Sequence, residues 1–198
     1  MKKLFVVLAM TFVSTMAFAH IFEINQYGGC TIQDEVTSSK SANDAYNAAK
    51  VWLNAQGFTQ ITPGVDKAGE TFTSTVTLNT KSSYSPFAGQ FVENLLFTIT
   101  INFQDGKVDY KVDNLQIQEI YAGYGSNNKV NAIAQKINEL EAAKKAVAEA
   151  EANATMPKKD KKKVIKDNKD VIDNTEETLN KASEELAKRL SNLKNAVK

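Results

Sequence analysis

Residues 95–112 alternate apolar and polar side chains on both sides of an Asp-Gly pair, and this pattern constrains the fold more than any other feature of the chain. Leu95, Phe97, Ile99, Ile101 and Phe103 interleave with Leu96, Thr98, Thr100 and Asn102, and Asp105-Gly106 then leads into Val108, Tyr110 and Val112. A period of two places one set on a buried face and the other on a wet one. Asp-Gly between such runs predicts a hairpin, because its tight turn wants positive φ. Past Asn114 the apolar positions move from even to odd numbers, at Leu115 and Ile117, which marks a bulge or a strand end. Phe72, Val76 and Leu78 alternate with Thr71, Thr73, Thr75 and Thr77 in the same way, and a strand near 57–65 turns into this one through Asp66-Lys67-Ala68-Gly69. Ile21 to Asn25 and Thr31 to Val36 are also strand-like.

The period is different between 39 and 56. Ala42, Ala45, Tyr46, Ala49, Trp52 and Leu53 recur at spacings of three and four, which predicts an amphipathic helix capped by Ser39 or Ser41 and ended by Gly57. Four successive strands after it pair as antiparallel neighbours, and their apolar face needs helices to cover it. The class is α+β.

Aromatic residues set the domain layout. From residue 20 on, all of them lie between Phe22 and Tyr124, and the remainder is rich in Ala, Lys, Glu, Asn and Leu. The expected division is a globular domain over 20–125 and a helical extension over 126–198, with helices near 127–152 and 160–197. Val130, Ile137 and Lys144 interleave with Ile133, Leu140 and Val147 at seven-residue spacing, and Ile165, Ile172, Leu179, Leu186 and Leu193 form a second such series. Pro157 separates the two, predicting an antiparallel hairpin of helices. Asn174-Thr175-Glu176-Glu177 suggests a further helix start.

Several of these segments, in order and spacing, resemble a known family. They are Ala45-Tyr46 and Trp52-Leu53, Val65-Asp66-Lys67-Ala68-Gly69, the alternating strand entering Asp105-Gly106-Lys107-Val108, and its close at Val112-Asp113-Asn114-Leu115. The family is an exported bacterial domain of unknown function with a TBP-like (TATA-box-binding-protein-like) fold, typical of Bacteroidota. The likeness covers roughly residues 20–125. It implies a curved antiparallel sheet covered by helices, here followed by a C-terminal helical hairpin, and it carries over no functional residue. The helical extension and the segment 79–94 lie outside the shared pattern.

The first residues predict export. Lys2 and Lys3, the apolar run Leu4 to Val13 and the small residues of Ala17-Phe18-Ala19 form the three parts of a cleavable signal peptide, 1–19, with His20 as the new N-terminus. The apolar run is too short to span a bilayer, which takes ~20 residues. The expected location is periplasmic or extracellular. Cys30 is the only cysteine, so no internal disulfide forms, and the common fate of a free cysteine is burial. Removing Lys2 and Lys3 takes the formal charge from +1 to −1. Residues 20–154 carry 10 Lys against 15 Asp and Glu, and residues 155–198 carry 12 Lys and Arg against 8.

Catalytic and metal-binding patterns are sparse. His20, the single histidine, offers a terminal amine and an imidazole to copper but lacks the second histidine such a site uses. Nucleophilic catalysis through a histidine base would have only the terminal His20, a Ser-Lys pair stays open as an alternative, and no phosphate loop or zinc-ligand spacing occurs. Asp105, Asp109 and Asp113 fall on the wet face of the hairpin, where solvation accounts for them. No cofactor and no metal are expected. The acidic domain opposes nucleic acid, which needs the opposite charge. Lys158, Lys159, Lys161, Lys162 and Lys163 form a basic run suited to anionic lipid or polysaccharide, or simply to a solvated helix start.

The segment 79–94 reads as a sixteen-residue loop carrying Tyr84, Phe87 and Phe91, and long loops are often functional. Its aromatics either anchor a partner or fold back to cap the core. The expectation is a non-enzymatic binding or protein-interaction module of the cell envelope. Its partner would be a protein or glycan, bound through Tyr84, Phe87 and Phe91, with self-association through the C-terminal helices as a further expectation. The alternative is an envelope hydrolase or lytic enzyme using carboxylates.

Overall fold

The computed structural model describes residues 22, 24, 28–62, 70–80, 84–85, 89–122 and 127–198, without the side chains of 60–62, 84–85, 89–90, 122 and 127. The expected signal peptide, His20 and the proposed 63–69 turn lie outside the described residues. In chain order the elements are β1 (Ile32–Thr37), α1 (Ala42–Ala55), β2 (Thr59–Thr62), β3 (Glu70–Leu78), β4 (Tyr84–Ser85), β5 (Gly89–Gln104), β6 (Lys107–Ala122), β7 (Asn127–Ala132), α2 (Ile133–Ala152) and α3 (Lys158–Val197). The class is α+β, as the alternating patterns require.

All strand pairs are antiparallel, in the order β1-β6-β5-β3-β2, with β7 on β6 and β4 on β5. The β5–β6 hairpin is the axis of the sheet, and its pairing runs from Gln90↔Ala122 to Gln104↔Lys107 with one shift of register. Gly106 in its turn has φ +76°, a conformation that the missing Cβ makes accessible. Because β5 occupies one edge of β6 throughout, β1 and β7 share the other edge, β1 over 107–112 and β7 over 116–121.

Between β1 and β7 lies a bulge. Leu96 pairs with Gln116 but Thr98 with Asp113, so Asn114 and Leu115 stand against Phe97 alone, and Asn114 takes φ +52°. Asparagine is among the few residues that tolerate this left-handed region. The extra residue reverses parity, which is why Val108, Tyr110 and Val112 are followed by Leu115 and Ile117, all still buried on the same face. The strand does not end at Asn114; it runs on to Ala122.

The helix termini are closed by the loops they meet. Ser41 caps α1 by accepting from the Asp44 amide at 3.2 Å, and Asp105 in the hairpin turn accepts from the Ala42 amide at 2.8 Å. At the far end of α3, Ser39 donates its hydroxyl to the Lys198 carbonyl at 2.6 Å and Ser38 donates to the Val197 carbonyl at 2.5 Å. These carbonyls have no partner inside their helix, so the β1–α1 turn supplies one.

One hydrophobic cluster joins Leu53 of α1, Leu95, Phe97, Ile99 and Ile101 of β5, Ile133 and Leu140 of α2, and Leu179, Leu186 and Leu193 of α3. Each such side chain contributes about 1.5–3 kcal/mol on leaving water. The helices after residue 125 therefore pack on the same core as the sheet. Within α3, however, all buried residues lie at Thr175 and beyond. The Lys161–Glu151 and Lys144–Glu176 contacts run outward from the 153–157 turn as in an antiparallel hairpin.

Three sequence expectations need correction. The segment 79–94 is not a continuous loop: Tyr84–Ser85 and Gly89 onward are strands, and the alternation was hidden because Glu93, not an apolar residue, occupies the inward position before Leu95. Residues 127–132 pair with β6 instead of opening the helix, and Val130 is 47% exposed there, so its heptad spacing is incidental. Asn174 does not begin a new helix: α3 is continuous, and the Thr178 hydroxyl donates back to the Asn174 carbonyl at 3.0 Å.

Candidate functional site

The far end of the β5–β6 hairpin brings Phe91 opposite Tyr121. The rings stack with centroids 4.6 Å apart and planes inclined by 41°, Phe91 half-buried and Tyr121 41% exposed. Partial burial, with Glu119 beside it, raises the Tyr121 phenol above its usual range. Of the three aromatics singled out in the sequence, Phe91 is thus on the central strand. Tyr84 pairs through its backbone with Gln90 in β4, while its side chain and all of Phe87 lie outside the described residues.

One step inward, Glu93 and Glu119 stand directly opposite each other on β5 and β6, only 4% and 7% exposed. Glu93 accepts from the Thr80 hydroxyl at 2.6 Å and from the Thr178 hydroxyl of α3 at 3.0 and 3.1 Å. Glu119 accepts a close charge-assisted hydrogen bond from Lys136 of α2. Two carboxylates at apolar positions would be costly alone; satisfied in this way, they pin both helices to the central hairpin. Sequence reading missed Glu93, Glu119, Lys136, Thr178 and Tyr121. The available signal was that both glutamates extend the inward series of Leu95 and Ile117 by one period.

The sheet face turned away from the helices carries rows of small polar side chains that satisfy one another. Thr71 bonds Thr100 at 3.1 Å, and Thr77 donates to Asn94 at 2.9 Å, which donates to Gln118 at 3.1 Å. Asp109 pairs with Lys107 at 3.2 Å and Asp113 with Lys111 at 3.1 Å, while Asp105 caps α1. The three aspartates thus have charge and capping roles on a solvated surface. Beside the bulge, the gap between β1 and β7 leaves a cavity of about 290 Å³ lined by Cys30, Asp113, Asn114 and Gln116 among others. Cys30 is buried, which pushes its thiol up and keeps it protonated. Among the described residues no group of three or more metal-ligating side chains occurs, and no described helix is long and apolar enough to cross a membrane.

No family model and no curated protein matches the sequence. Two solved structures share the architecture. A TBP-like protein from Parabacteroides distasonis superposes with a TM-score of 0.55 at 12% identity, over 87% of this chain and 95% of its own. A DUF4468 family protein from Bacteroides ovatus does so with a TM-score of 0.52 at 10% identity, over 89% of this chain and 92% of its own. At these identities the likeness is one of fold. The fold is TBP-like, as the sequence resemblance implied, and coverage of 87% and 89% extends the superposition past residue 125.

Proposed function

We propose that this protein is an exported, non-enzymatic binding module of the cell envelope, and that it holds a protein or glycan partner at the end of the β5–β6 hairpin. The observation that carries the reading is the Phe91–Tyr121 stack, partly exposed above a pair of buried carboxylates. Rigid aromatic side chains bury much area for little lost rotamer entropy, which makes them good anchors. Glu93 and Glu119 hold the strand ends firm beneath them, a pre-organised base for such a contact. Tyr84 and Phe87 belong to the adjoining β4–β5 segment and serve as further anchors.

A photo-reactive phenylalanine analogue placed at position 121 tests this in the exported protein, whose first residue should be His20. Adducts with an envelope protein or glycan are expected at position 121, lost on Phe91→Ala, and absent from a control at Val51, which is 72% exposed on α1. Equal labelling at both positions would remove the aromatic corner from consideration.

A further inference from the structure

α3 has 40 residues and α2 has 20, so α3 is about 60 Å long at ~1.5 Å per residue and only its second half lies on the core. Residues 158–174 contain no buried side chain, and from Ile172, which packs partly against the core, they run back beside α2 as an arm. On this arm a shallow groove of about 570 Å³ follows one helix face, lined by Lys158, Lys161, Lys162, Lys166 and Lys169 with Ile165 among them and with Asp170 and Asp173 toward the core-packed half. Lys161 donates to the Glu151 carbonyl at 2.7 Å, and the described ion pairs include none of these five lysines. Five lysines against two aspartates leave the groove net basic, and a net-basic row attracts an anion of matching shape.

We infer that this groove binds a linear acidic polysaccharide. The lysines trace a line along the helix axis and do not spread over a plane, which fits a chain better than a bilayer. An interfacial helix also needs a broad apolar face, and here Ile165 is the one apolar side chain among the lining residues. The two aspartates separate the remaining polyanions. The phosphodiester backbone of duplex DNA presents only acceptors and is repelled by Asp170 and Asp173. A uronate-bearing glycan presents carboxylates to the lysines and hydroxyl donors to the aspartates.

Polygalacturonate, duplex DNA and phosphatidylglycerol vesicles, each titrated against the whole protein, test the assignment. Polygalacturonate should bind with log Kd rising against log salt at a slope of about 3, given ~0.7 per neutralised charge on a flexible polyanion and four engaged lysines. Replacing Lys158, Lys162, Lys166 and Lys169 by Gln should weaken it at least tenfold at low salt and flatten the slope, with the melting temperature unchanged. Asp170→Asn with Asp173→Asn should weaken polygalacturonate severalfold while strengthening DNA and vesicles. Absence of polygalacturonate binding at low salt overturns the proposal. So does tighter binding of all three probes by the aspartate variant, which would mark an unselective basic patch.

Discussion

Asp34 shows how a single surface carboxylate ties the C-terminal helix to the first strand. It accepts from Lys194 of α3 at 2.5 Å, from the Glu35 amide at 2.8 Å and from the Tyr110 hydroxyl at 3.4 Å. The Lys194 hydrogen bond, then the backbone amide, lower its pKa, and Asp34 in turn raises that of Lys194. A carboxylate depressed in the folded state adds stability above its ordinary pKa of about 3.9, and that stability is lost as pH falls through the lower folded value. A raised lysine contributes fully below about 10.4 and loses the contribution as pH climbs through the higher folded value. Asp34→Asn should therefore flatten both the acid and the alkaline limbs of a melting-temperature profile, leaving the two proteins equal at the extremes. At neutral pH the difference should be about 1 kcal/mol or less, because the side chains are 44% and 37% exposed. A difference unchanged from pH 2 to pH 8 would show that Asp34 acts through packing alone.

At the scale of elements, the two halves of α3 should respond differently to the same kind of change. Leu186 is wholly buried, so Leu186→Ala leaves a cavity and should cost about 2–5 kcal/mol in denaturant unfolding. Ile165 packs only partly, on the arm beside α2, and Ile165→Ala should cost about 1 kcal/mol or less. Equal losses would mean that the arm is as much core as the rest of the helix. Heptad spacing in the sequence ran evenly through both halves, so the difference was not legible there; it depends on where the sheet stops. The same limit hid β7, since Val130 continues a heptad although its backbone completes a sheet edge. The β5–β6 hairpin and its bulge, by contrast, could be read from residue parity, because the period of two is enforced by a single buried face.

For the whole molecule, the shared cluster makes a clear demand on folding. Leu179, Ala182, Leu186, Leu190, Leu193 and Val197 all leave the core if residues 158–198 are removed, and α1 and β3 lose the helix that covers them. The truncated chain should show no cooperative unfolding transition, measured by circular dichroism in urea, and should bind a hydrophobic dye. A sharp transition near that of the full chain would show that residues 20–125 fold alone, as the loss of aromatics after Tyr124 suggests. Of the candidate surface, only Phe91 was legible. Tyr121 and the glutamates beneath it come from strands separated by a turn, and no local pattern reports that register over sixteen residues.

Local physics was sufficient for much of the secondary structure of this protein. The Asp-Gly hairpin, the parity reversal at Asn114, the Ser41-capped helix and the helical character beyond Pro157 each follow from φ preference, side-chain alternation or the missing proline donor. Those signals act within a few residues and are present in the unfolded chain. Tertiary structure alone decided that β1 and β7 share one edge of β6, that half of α3 closes the core while the other half runs along α2, and that Glu93 meets Glu119 under a stacked aromatic pair. These outcomes depend on which distant surfaces exclude water together, a choice made by the assembled chain and recorded in no single segment.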